Sequence, residues 1–125
     1  MSTFIIVLAV VSLWIGIFVK WAQAATVAPW MLWQPSPVRL RQAACIHRNE
    51  TFGLPPMSWA SWHDTRNPIS RGGMQFLPST YRSVGGTGDP ARASKREQLY
   101  RAWLLWNRDG GSWREWSTAG RCGLK

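Results

Sequence analysis

The sequence predicts a small, mainly α-helical domain, and three observations carry that expectation. Serine caps stand at Ser36, directly before Pro37, and at Ser94 and Ser112, each three residues before a glutamate. Glycine pairs at Gly85-Gly86 and Gly110-Gly111 supply stops. No stretch alternates apolar and polar residues as a half-buried strand does. At 125 residues the chain holds at most one modest domain.

The elements follow in order. The apolar run Phe4 to Val19 is followed by Lys20 and by Ala22-Gln23-Ala24, a small-x-small sequence. At about sixteen residues it is short for a spanning helix and near the length of a signal-peptide core. Residues 1–24 therefore read as a signal peptide or a retained membrane anchor, and either implies export. Trp21 and Lys20 suit the interface of an anchor. Residues 25–37 carry three prolines, two tryptophans and no charge, the composition of a linker or of a strap packed on the domain. The remainder, 38–125, is the domain.

Ser36 as N-cap and Pro37 at the first helical position begin a helix that runs to about Glu50. Phe52-Gly53-Leu54-Pro55-Pro56 ends it. Met57 to Arg71 is irregular, with room for a short β-hairpin. Gly72-Gly73-Met74-Gln75-Phe76 reads as a glycine-rich turn and a buried run, and Leu77 or Pro78 opens a short helix. Gly88-Asp89-Pro90 is a turn. Ser94-x-x-Glu97 is a capping box for a helix over 95–108, with Leu99, Trp103 and Trp106 on one face. Ser112-x-x-Glu115 is a second box, opening a short helix that brings Trp113 and Trp116 together.

Charge narrows the function. The chain carries +9, and its ten tryptophans far exceed ordinary usage. Such a surface suits an anionic polymer: nucleic acid, an anionic membrane or cell wall. Export makes nucleic acid a poor partner. Tryptophan stacks on the apolar faces of sugars as readily as on bases. Two cysteines, Cys45 and Cys122, bracket most of the exported part and read as one disulfide. It would close a loop of about 78 residues, stabilising by roughly 4 kcal/mol in the chain-entropy account. His47 and His63 are the other soft ligands, and without C-x-x-C spacing neither a metal nor a cofactor is implied. No protein partner is named by the sequence.

Six acids are available for chemistry. Glu97 and Glu115 read as cap partners, Asp89 as a turn residue and Asp109 as a helix-end residue. Glu50 and Asp64 remain. Glu50 falls in the last turn of its helix, where the macrodipole opposes a negative charge and favours the protonated form that a general acid needs. It is the candidate catalytic acid. Its alternative is a solvated surface acid paired with an arginine. Asp64, beside His63, Arg66 and Asn67, reads as a salt-bridge or turn residue.

Cys45-Ile46-His47-Arg48-Asn49-Glu50, Asn67, Gly72-Gly73-Met74-Gln75-Phe76-Leu77-Pro78-Ser79-Thr80-Tyr81 and Gly85-Gly86 together resemble the lysozyme-like superfamily. The likeness is to transglycosylase-like domains of the resuscitation-promoting-factor and lytic transglycosylase kind, over about 39–124. One departure is that Thr51-Phe52-Gly53 follows the Glu, where the family has Ser-Gly or Ser-Ser. The resemblance implies a lysozyme-like fold acting on peptidoglycan glycan strands. Glu50 would protonate the oxygen between N-acetylmuramic acid and N-acetylglucosamine. Gln75, Ser79, Thr80, Tyr81 and Asn67 would bind substrate, and Trp103, Trp106, Trp113 and Trp116 are candidates for the groove wall or the core. If Asp64 stays remote from Glu50, Glu50 acts as acid and then base, and the sugar 6-hydroxyl closes an anhydro ring, the lytic transglycosylase route. The alternatives are a hydrolytic lysozyme using Asp64, and a cationic wall- or membrane-binding protein without activity.

Overall fold

The structure, a computed structural model, describes residues 26–51 and 69–125. The apolar run at 4–19, the span assigned to a hairpin up to residue 68, and Asp64, His63 and Asn67 lie outside the described residues. Among these residues helix predominates and no strand forms. The one ladder-like feature among the described residues is an isolated antiparallel bridge in which Arg71 and Phe76 exchange both backbone bonds at 2.9 Å. No helix among the described residues is long and apolar enough to cross a membrane.

Among the described residues four α-helices carry the fold: α1 (Pro29–Leu32), α2 (Pro37–Glu50), α3 (Pro78–Ser83) and α4 (Lys95–Arg108). The start of α2 forms as its sequence dictates. Ser36 Oγ accepts from the Arg39 amide, and Pro37 occupies a position whose amide would lack a partner. On α4, Ser94 Oγ accepts from the Glu97 amide at 3.1 Å. The Glu97 carboxylate pairs with Arg101 one turn on, at 3.3 Å. Asp89 caps the short 310 turn Pro90–Arg92 by accepting from the Ala91 amide.

One expectation needs correcting. Residues 112–116 form no helix. Ser112 Oγ accepts from the Arg114 amide, not from Glu115, and the chain enters a 310 turn only at Ser117–Cys122. A serine hydroxyl can close a two-residue local turn as well as a helix cap, and the turn wins here. The buried stripe of α4 runs through Gln98, Leu99, Ala102 and Leu105, with Trp103 and Trp106 half-buried beside it. Ala102 is the residue small enough to sit where α4 meets the core.

The two flanking tryptophans find separate neighbours. Trp103 lies 5.8 Å from Trp33 of the segment before α2. Arg96 of α4 donates to the carbonyls of Trp30 and Trp33, so this segment lies along α4. Trp106 begins an aromatic chain that crosses the core: Trp106 to Trp113 at 6.3 Å, Trp113 to Trp116 at 5.6 Å, Trp116 to Phe76 at 5.7 Å and Phe76 to Tyr81 at 5.4 Å. Arg39 of α2 covers the outer ring, its guanidinium carbon 3.9 Å from the Trp106 centroid. Gly86 is required by close approach, because a Cβ there would fall 2.2 Å from the Tyr81 ring.

Cys45 and Cys122 are disulfide-bonded, with Cα atoms 6.0 Å apart. The bond ties α2 to the 310 turn at 117–122, which packs along the same helix. Asn49 lies over it, donating to the Cys45 carbonyl at 2.9 Å.

Candidate active site

The glycine-rich turn is the scaffold of the site. Gly72 sits at φ +78° and Gln75 at φ +52°, a left-handed conformation that a side chain adopts only at a cost. The Gln75 amide Nε2 donates to the Gly72 carbonyl at 2.8 Å, which helps hold that conformation. Three other elements grip the turn. From α2, His47 Nδ1 donates to the Gly73 carbonyl at 2.6 Å. From α4, Gln98 Oε1 accepts from the Gly73 amide at 2.8 Å, while its Nε2 donates to Ala93 O at 3.0 Å. From the C-terminal segment, Trp116 Nε1 donates to the Met74 carbonyl at 2.8 Å. Gln98 is fully buried, and a Cβ at Gly72 would fall 2.5 Å from its Oε1. The turn must therefore be glycine at this position for steric as well as conformational reasons.

This scaffold forms one wall of a cleft of about 250 Å³. Glu50, Ser70, Gln75, Phe76, Leu77, Thr80, Glu115, Trp116 and Ser117 are among its lining. Glu50 arrives as the last residue of α2. Thr118 donates its hydroxyl to Glu50 Oε1 at 2.6 Å, bridging helix and C-terminal turn. A second hollow, between α2 and α4, is lined by Leu40, Arg41, Ala44, Lys95 and Leu99. It carries two cations and no acid, so it offers nothing to protonate a leaving group.

Of the residues named from sequence, Glu50, Gln75, Thr80 and Trp116 meet at the cleft. Ser79 is exposed and is not among its lining residues. Tyr81 is fully buried behind the wall, against Phe76 and Gly86. Its hydroxyl is pushed up to about 12, first by burial and then by the nearby Glu97 charge. Trp113 belongs to the core, and its Nε1 donates to Gln42 Oε1 at 2.9 Å. Trp103 and Trp106 are not cleft residues. Sequence reasoning missed Glu115, Thr118 and Gln98. Glu115 was assigned to a cap that does not form. A mid-helix glutamine and a threonine in a loop carry no signal of their own.

His47 illustrates how the site weighs on stability. Burial holds its pKa below the ordinary value of 6.5; the bond to Gly73 O opposes this, and the charges of Lys95 and Arg48 reinforce it. The unfolded chain takes up a proton near pH 6.5 that the folded chain resists. The contribution is thus complete above that pH and is lost as pH falls below it. The melting temperature should decline as pH is lowered from 7 toward 5, and the decline should be shallower in His47→Gln. Equal slopes in thermal melts of the two proteins would exclude this role.

No family model matches the chain, and no solved structure does. Over 43 residues the chain is 49% identical to the resuscitation-promoting factor Rpf of Micrococcus luteus; the match covers 34% of this chain and 19% of that protein. The likeness is partial, and the chain spans about a fifth of the length of that protein.

Proposed function

We propose that the chain is a lytic transglycosylase that cuts the peptidoglycan strand between N-acetylmuramic acid and N-acetylglucosamine, with Glu50 as its catalytic acid. The observation that supports this most is the meeting of Glu50 with Gln75, Thr80 and the Trp116 ring around one cleft. It combines a proton donor, neutral hydrogen-bonding groups and an apolar surface, the set a sugar needs. Glu50 passes its proton to the glycosidic oxygen as the bond breaks. The muramyl 6-hydroxyl then attacks the anomeric carbon and returns its proton to Glu50, leaving a 1,6-anhydro end. Gln75 and Thr80 bind sugar groups; Ser79, Tyr81 and Asn67 belong to the same substrate-binding proposal, with Tyr81 acting through the wall it supports. The likeness and the disulfide are consistent with a cell-envelope or extracellular setting. Residues 1–24 serve as signal peptide or membrane anchor, 25–37 as strap and 38–125 as the catalytic domain.

One observation favours hydrolysis as a second reading. Glu115 lines the same cleft, and the separation of two carboxylates decides whether water or a second group attacks. Mass spectrometry of muropeptides separates the readings. Anhydro ends released equally by the native protein and Glu115→Gln are expected of a transglycosylase. Reducing ends that vanish in Glu115→Gln mark a hydrolase. Binding to wall with no product marks a cationic wall-binding protein.

A further inference from the structure

We propose that Thr118 is a positioning residue for Glu50, fixing which carboxyl oxygen carries the proton to the substrate. The inference rests on the Glu50 reading above. Thr118 Oγ1 stands 2.6 Å from Glu50 Oε1, at the short end of hydroxyl–carboxyl contacts. A hydroxyl has one proton to donate, and here it goes to Oε1. With Oε1 so engaged, the acidic proton resides on Oε2, and the carboxyl plane is set by a group from another part of the chain. Thr118 is itself held in place. It lies in the 310 turn Ser117–Cys122, whose last residue is bonded to Cys45 on the helix that bears Glu50. The turn also has Ala119 buried in the core. Donor and acceptor are thus fixed by one covalent link, 68 residues apart in sequence.

The bond does two opposed things. Donation to the ionised carboxylate stabilises the anion, whereas the C-terminal end of α2 destabilises it. Glu115 is the second acid lining the cleft. His47, one turn back on α2, is kept from protonation by burial. Arg48 and Lys95 act on His47 from α2 and α4. Removing the hydroxyl should leave the anion less stabilised and the carboxyl less firmly oriented.

Thr118→Val, a near-isostere without the donor, and Thr118→Ser, which restores it, make the test. In muropeptide release, Thr118→Val should bind wall as the native protein does while kcat falls on the order of tenfold to a hundredfold. The alkaline limb of its pH profile should move upward, and Thr118→Ser should restore both rate and limb. The titration of the Glu50 side chain, followed by carbon NMR on labelled protein, should move upward in Thr118→Val independently of any turnover. An unchanged titration and pH profile in a folded Thr118→Val protein overturns the proposal. If valine prevents folding, an unchanged profile in Thr118→Ala does the same. Full activity of Glu50→Gln defeats the catalytic reading instead, whatever Thr118 does to the titration.

Discussion

Glu50→Gln is expected to abolish wall clearing and leave the fold intact. Glutamine fills nearly the same space at the end of α2, and its carbonyl oxygen can still accept from Thr118 Oγ1, whose bond to Glu50 is 2.6 Å. What it lacks is a transferable proton. General acid catalysis contributes about 10²–10⁴-fold, so zymograms should lose their clearing zones and muropeptide release should fall by at least that factor. The melting temperature should move by no more than a few degrees. Retention of half the native rate would remove Glu50 from the mechanism. A collapse in melting temperature together with lost activity would instead give Glu50 a structural role.

Loss of the Cys45–Cys122 bond should have the largest effect on stability. The sulfur bridge spans 77 positions, and removing a native disulfide from a small domain costs about 2–5 kcal/mol. The double variant Cys45→Ser, Cys122→Ser should melt well below the native protein and lose activity before it unfolds globally, because Thr118 and Trp116 are carried by the released segment. Thermal melts and assays on one preparation check both statements. Equal melting temperatures would mean that packing of α2 against the 310 turn suffices without the bond.

Much of the helical layout was legible because it depends on local chemistry. The Ser36 and Ser94 hydroxyls accept from the Arg39 and Glu97 amides three residues on, so sequence alone locates the starts of α2 and α4. Gly72-Gly73 was recognisable as a turn for the same reason. Ser112-x-x-Glu115 carries the same signature, yet the hydroxyl found a nearer amide at Arg114. What could not be read was long-range. Gln98 looks like a solvent-facing helix residue until the Gly73 amide and Ala93 carbonyl are placed beside it. Thr118 has no meaning before Cys122 brings it to α2. In the site, Glu50 emerged by eliminating the other acids, and that elimination set aside Glu115, which the fold returns to the cleft.

The glycine-rich turn also governs when the site comes into being. Its peptide groups are held from α2, from α4 and from the C-terminal segment by His47, Gln98 and Trp116. No two of these elements can build the cleft wall without the third. The wall is therefore complete only once all three have docked. An opening that detaches any one of the three elements also dismantles the cleft wall, so the site behaves as part of the global cooperative unit and not as a separately mobile region.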